Sequence, residues 1–387
     1  MKIKLIDTFC TGVVHAQFNA SLLAMLVMKY DLVYYYASRS SALSAMKIAD
    51  KYVDNKTKYI PLFVFEGNGR VVSFVRYFIG AILNTFLLIK SSKSDILIYN
   101  FNNPLSLHLL NFVNSFLNRR VLVFCHGEME LLINSKYKGG LQQRLFMKII
   151  RDFYLYEDRK MHLSFCVIGK SVYDNMTDIL PYKICKVFGF IDHPYIYDNC
   201  NYTALNRDEI NIGTVGFFSI SKGGDQFVKL AKLLESRNPN VKLSITGKVV
   251  DDFEKVTHLK NVDLPRDKGL VPVPATEFME RIRKLDFVLF LYPISSYKLI
   301  ASGAIMDAIN WEKPILAIRN NYFEYLFSKY GSLGYLFNDI NEIVDYLDSE
   351  RFTKDFRNNK IDFANIKRLT SPECILAQLS IVLDKLN

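Results

Sequence analysis

The stretch from residue 286 to 318, DFVLFLYPISSYKLIASGAIMDAINWEKPILAI, concentrates residues suited to binding an anion and a sugar. Residues 287–292 are a continuous apolar run, the pattern of a parallel strand covered on both faces. Pro293 ends the run, residues 294–301 form a loop, and Ser302-Gly303 opens a helix. Glu312-Lys313-Pro314 closes that helix before a second apolar run at 315–318. A helix starting beyond the carboxyl end of a strand presents unpaired N–H groups and a partial positive charge. Ser302 and Gly303 are therefore placed to hold a phosphate. Asp307 follows a little more than one turn on, where a carboxylate can accept hydrogen bonds from ribose hydroxyls. A plain βαβ unit with a small residue at the helix cap gives the same pattern.

Two further stretches carry candidate chemistry. In TVGFFSISKGGDQFVKLAKLL, residues 214–234, Gly216 permits a tight turn and Lys222 supplies a cation for phosphate. Gly223-Gly224 lets backbone approach closely, and a solvated surface turn is the competing reading. Gly247, after the next apolar run, belongs at the rim where open α/β sheets bind ligands. In the first half, His126-Gly127-Glu128 ends another apolar run. Glu128 is suited to orienting or deprotonating a hydroxyl; alternatively it starts a helix near its positive end. Asn102 and Asn103 read first as turn formers. Asp192-His193 has no second cluster of metal-ligating residues at a suitable spacing. No Asp-x-Asp, Walker, Gly-x-Ser-x-Gly or Gly-x-Gly-x-x-Gly motif is present.

The order of strand, loop, small-residue helix start, acidic residue and Lys-Pro-Ile turn resembles the donor site of GT-B glycosyltransferases, of the group-1 type that builds bacterial surface polysaccharide. The resemblance implies that Ser302 and Gly303 meet the nucleoside diphosphate and Asp307 the ribose. Lys222 stands at the family's lysine. Phe217 stands where an arginine is usual, and Leu299 where the first of two glutamates is usual. Tyr297 or Lys298 would then supply the contact to the donor sugar. The His-Gly pair places His126 near the reacting sugar, and Gly12, His15 and Asn102 line the acceptor side. The fold implied is α/β, two Rossmann-like βαβ domains with parallel sheets facing a central cleft.

The elements that must position these residues follow from length and pattern. A chain of 387 residues is too long for one ordinary core. Short apolar runs near 3–6, 32–37, 60–65, 95–99, 121–125, 163–168 and 186–190 alternate with helical patterns, which predicts a parallel sheet. Ser171 is the expected cap of the helix after the sixth run. The alternation resumes at 210–215 and 242–246. The expected boundaries are 1–191 for an acceptor-side domain, 192–208 for a linker, 209–370 for the nucleotide-sugar domain, and 371–387 for a helix crossing back to the first.

Half the residues are hydrophobic and the net charge is +10, which favours anionic partners. The basic residues form no arginine-rich tract, so nucleic acid is not expected. Six cysteines without a CxxC pair fit a reducing cytosol, and residues 2–6, Lys-Ile-Lys-Leu-Ile, are expected to lead into a strand and not to be a signal peptide. Residues 71–89, VVSFVRYFIGAILNTFLLI, are about long enough to span a bilayer. Arg76 within them costs roughly 2.5–3.5 kcal/mol at a bilayer centre, so a helix packed on the sheet with one face against lipid is expected.

The expected activity is transfer of a sugar from a UDP- or GDP-sugar to a hydroxyl of a glycan or lipid-linked acceptor. No metal or cofactor takes part, and the resemblance implies retention of configuration. The enzyme is expected in the cytoplasm, peripheral to the membrane. A nucleotide-sugar epimerase and a non-catalytic nucleotide-sugar-binding protein are the alternatives.

Overall fold

The computed structural model describes residues 2–53, 55–67, 69–133, 140–198, 209–250, 256, 258–294, 296–352 and 361–386. Positions 199–208 of the expected linker lie outside them. The chain divides into two compact units. The first comprises Met1–Ile196, Lys298–Ala301 and Leu369–Asn387; the second comprises Tyr197–Tyr297 and Ser302–Arg368.

The first unit is built on seven parallel strands: β1 (Ile3–Ile6), β2 (Val33–Ala37), β3 (Thr57–Pro61), β4 (Ile96–Tyr99), β5 (Arg120–Cys125), β6 (Ser164–Ile168) and β7 (Phe188–Ile191). Their order in the sheet is β3-β2-β1-β4-β5-β6-β7. β1 therefore pairs with β2 on one side and with β4 on the other, Ile3 opposite both Val33 and Ile96. The chain changes direction of winding between β1 and β4, the place where open α/β sheets bind ligands beyond the strands' carboxyl ends. On one face, Leu22, Leu23 and Leu26 of the helix Ala16–Lys29 pack with Ile375, Leu379 and Leu383 of the helix Pro372–Asp384. On the other, Leu87 and Leu88 of the helix Arg70–Ile89 join Leu110, Ile150 and Phe153. With both faces covered, the central strands read as unbroken apolar runs.

The second unit repeats the plan with six parallel strands: β8 (Ile210–Thr214), β9 (Val241–Ile245), β10 (Val262–Asp263), β11 (Phe287–Phe290), β12 (Ile315–Ile318) and β13 (Gly334–Phe337). Their order is β10-β9-β8-β11-β12-β13, which puts the change of winding between β8 and β11. Residues 286–318 supply β11, the helix Gly303–Asn310 and β12, with Val288 opposite Ile315.

Some local readings change. The third strand is Thr57–Pro61 and not the apolar run that follows it, because backbone pairing with Val33–Ala37 sets its register. Gly169, with φ of 99°, precedes the helix Lys170–Thr177, so Ser171 lies inside the helix and is not its cap. Lys298–Ala301 sits in the first unit: Leu299 N–H donates to Glu130 Oε1 at 3.0 Å, Lys298 O accepts from Asn175 Nδ2 at 2.8 Å, and the Leu299 side chain is buried.

Candidate functional site

In the first unit the candidate residues gather on the loops after β1, β4 and β5, beside the change of winding. His126 leaves β5 with its Nε2 2.8 Å from the carbonyl oxygen of Asn100. A carbonyl can only accept, so Nε2 carries the proton and Nδ1 keeps its lone pair. Asn100 is itself held: its Nδ2 donates to Asn19 Oδ1 at 2.8 Å, and Asn19 Nδ2 donates to Asp7 Oδ2 at 3.0 Å. Asp7 is completely buried and also accepts from the amides of Phe9 and Cys10 and from Ser41 Oγ. A buried carboxylate is tolerable only when so fully bonded. The result is a rigid relay from Asp7 to the His126 ring.

Three imidazoles meet around Phe18. His15 and His126 lie 4.8 Å apart, and Phe18 stands 4.8 Å from His126 and 6.0 Å from His193. His15, at φ of 53°, precedes the helix Ala16–Lys29. Burial pushes His126 well below the usual imidazole range, and the neighbouring His15 adds to this. His193 falls to about 4, again mainly through burial. Its Nδ1 lies 3.0 Å from the Pro194 carbonyl, which leaves Nε2 as the acceptor. At neutral pH His126 and His193 are uncharged, and each keeps one ring nitrogen able to accept a hydrogen bond from a hydroxyl.

Glu128 accepts from the His126 amide at 2.8 Å. Burial raises its carboxyl to about 7, against the lowering effect of that bond and of the Asn102 side chain. Because the folded value exceeds the ordinary 4.5, the stability it contributes is complete below about 4.5 and is lost as pH rises through about 7. Glu128→Gln, which keeps the accepting oxygen, should leave melting at pH 4 unchanged. At pH 8 it should stabilise the protein by on the order of 1–3 kcal/mol. Thermal melts at the two pH values check this.

Asn102, expected to line the acceptor side, is completely buried, and its Nδ2 donates to Tyr154 Oη at 3.2 Å. It supports Glu128 from beneath. Gly12 keeps a place on the β1 loop, its amide donating to Ser40 Oγ at 3.0 Å.

In the second unit the loops after β8, β9 and β11 converge. A Cβ placed on Gly216 would lie 3.6 Å from Lys222 Nζ and 4.0 Å from Ala304 Cβ, so lysine and helix start flank one glycine. Gly247 packs flat against this turn, because a Cβ there would overlap the Gly216 carbonyl oxygen. Burial lowers the Lys222 ammonium, and the charge of Asp307 opposes that shift. Asp307 therefore acts on the lysine from within the helix Gly303–Asn310.

Ser302 is buried, its hydroxyl 3.0 Å from Tyr292 Oη and its amide donating to Tyr322 Oη at 3.2 Å. With Ser302 so occupied, the amides of Gly303 and Ala304 are the first-turn donors without an intrahelical acceptor. Tyr297 stacks on Tyr292 at 3.9 Å with 5° between the rings, and holds φ of 58°. Phe217 is 61% exposed, an aromatic where a second cation was the family expectation. Among the described residues, no three His, Cys, Asp or Glu side chains form a metal-binding group. Asp192 instead pairs with Gln378, accepting from its Nε2 at 2.9 Å.

Sequence reasoning missed Asp7, Asn19 and Asn100 as the support of His126, and it read His193 only as half of a weak metal pair. Asp7 did carry a signal: an acidic residue directly after an apolar strand, at the position where ligand loops begin.

No protein-family model matches the chain, and no curated protein does. Solved structures do match over essentially the whole length. WaaG, a glycosyltransferase involved in lipopolysaccharide biosynthesis, is 13% identical with a TM-score of 0.57 over all of both chains. HepE from Anabaena, solved with UDP and glucose, is 12% identical with a TM-score of 0.60, also over all of both chains. TarM is 14% identical with a TM-score of 0.60 over 99% of each. The two Rossmann-like units, with sheets of seven and six parallel strands, have the fold of GT-B glycosyltransferases.

Proposed function

We propose that the protein is a glycosyltransferase that moves a sugar from a nucleoside-diphosphate sugar to a hydroxyl of a glycan or lipid-linked acceptor. The observation that carries this is the meeting of the Lys222 ammonium and the amino end of the helix Gly303–Asn310 at Gly216. An ammonium, first-turn amides and a backbone without a side chain in the way suit a leaving diphosphate. Positive charge fixed in advance where negative charge develops is the main source of rate in such reactions. The fold's occurrence in a structure holding UDP and glucose supports a nucleotide-sugar donor.

In this proposal Asp307 receives the ribose hydroxyls and orients Lys222. Tyr297, on its stacked partner, faces the donor sugar. His126, neutral and fixed by the Asp7 relay, receives hydrogen bonds from sugar hydroxyls, and Glu128 takes the acceptor proton. A carboxyl titrating near 7 matches such a base to neutral pH. No metal is assigned a role, configuration is retained, and the reaction belongs in the cytoplasm.

Thermal shift against UDP, GDP and their sugars tests the donor site, since a ligand of the folded form raises melting. Binding of one of them is expected, and Asp307→Ala should weaken it by about tenfold or more, the loss of a charged hydrogen-bond acceptor. Unchanged affinity in Asp307→Ala would remove the ribose assignment. Isomerised sugar in the absence of any acceptor would replace transfer with epimerisation.

A further inference from the structure

The helix Arg70–Ile89 turns an unusual face outward. It is 20 residues long, about 30 Å, and long and apolar enough to cross a membrane. Its inner side is committed to the first unit. Asn84 is buried, its Oδ1 accepting from Thr8 Oγ1 at 2.9 Å and its backbone carbonyl from Tyr99 Oη at 2.8 Å. Gly80 lies so close to the Thr8 carbonyl that a Cβ would come within 3.0 Å. The helix is thus docked along one side and cannot leave the sheet without exposing these groups.

The outer side is different. Phe78, Ile82 and Phe86 recur every four residues and are 54%, 55% and 50% exposed, with Phe74 one turn earlier. The neighbouring helix Leu107–Leu117 adds Phe112 and Phe116, whose rings lie 5.1 Å apart. Arg76, the one charged side chain between Val71 and Ile89, is turned back onto the carbonyl oxygens of Phe65 and Gly67. Exposed aromatics contiguous over two helices are more than the scattered apolar surface of a soluble domain.

Charge decides what covers it. From Gly69 to Ser94 and from Leu105 to Arg120 there is no Asp or Glu, while Arg70, Arg76, Lys90, Lys93, Arg119 and Arg120 are all basic. Lys90 sits over the Phe86 ring at 5.6 Å. Arg120 donates to the Ser94 carbonyl, which joins the basic ends of the two helices. Arg119 and Arg120 continue with His162 and Lys385 into a polar recess. An apolar face with a basic border at one end fits lipid chains and anionic headgroups together; Asp152 reaches the helix Leu107–Leu117 but is paired there with His108 and Arg159. A second copy of this face would bring like charges together.

We propose that this face docks the first unit onto an anionic lipid bilayer, with the helix Arg70–Ile89 lying in the plane of the headgroups. The inference stands apart from the donor reading, since it uses none of the residues assigned to the nucleotide. Co-sedimentation of the full chain with phosphatidylcholine vesicles, with and without phosphatidylglycerol, tests it. Binding is expected only with phosphatidylglycerol, and should fall as salt rises. Phe78→Glu/Ile82→Glu and, separately, Lys90→Glu/Lys93→Glu should each weaken it by roughly tenfold or more. The lysine pair is exposed, so its variant keeps the test valid if the first variant melts early. A chain that stays in the supernatant with both vesicles, or variants that bind as the parent does, would overturn the proposal. So would a dimer in sedimentation velocity that Phe78→Glu/Ile82→Glu dissociates without any vesicle binding.

Discussion

Lys222→Ala should lower the rate of sugar transfer by about 10²–10³-fold, the usual effect of deleting one preorganised stabiliser of developing negative charge. Lys222 Nζ stands against Gly216 beside the helix start, and the exposed Phe217 stands where the resemblance implied an arginine. In the proposed reaction the charge on the departing diphosphate falls to this ammonium and to the first-turn amides of the helix Gly303–Asn310. Affinity for the intact donor should change less than the rate, because the second negative charge builds only as the bond breaks. Lys222→Arg should recover little of the activity: a planar guanidinium does not fit where Nζ stands 3.6 Å from the Cβ position of Gly216. Initial rates with saturating donor measure the effect, and an undiminished rate in Lys222→Ala would remove its charge role.

The second large effect concerns the residue next to it. Gly223→Ala should destabilise the second unit by about 3–5 kcal/mol, in the range reserved for clashes and special backbone geometry. Gly223 holds φ of 86°, which alone costs a residue with a side chain about 1–3 kcal/mol. A Cβ there would also overlap the carbonyl oxygen of Leu291, just beyond β11. Leu291 is buried in the core of this unit and has no room to retreat. Melting should fall by roughly 10 °C. Gly12→Ala is the control: its φ of 56° carries the strain, but nothing lies within 4 Å of the added carbon, so a loss of about 1 kcal/mol is expected.

The central strands were legible in the sequence because each sheet is covered on both sides, and Ile315–Ile318 reads off to the residue for that reason. Their order was not, since every short apolar run looks alike. Gly216, Lys222 and Gly303 lie on the segments that follow two apolar runs, and topology brings the ends of those adjacent strands together. β10, only two residues long, has no period to detect. The helix Asn321–Tyr330 carries only a cap signal, Asn320 accepting from the Phe323 amide, which is weak beside the apolar run before it. Asn102 and Asp7 show the deeper limit. Both are polar residues after strands, and only tertiary burial decides that one supports a carboxyl from below while the other anchors a histidine relay. Leu299 could be aligned with a family glutamate, but nothing local says that its side chain completes the core of the other unit.

The helix Pro372–Asp384 has a consequence for the order in which the chain is made. Its Ile375, Leu379 and Leu383 fill the same core as β1 and the helix Ala16–Lys29, and Val382 seats against Gly189 of β7. A ribosome delivers that wedge only after every strand of the second unit has emerged. Domains usually close from the amino end during synthesis. Here the earlier half must wait, its sheet assembled and one flank uncovered, until translation has passed through the later half.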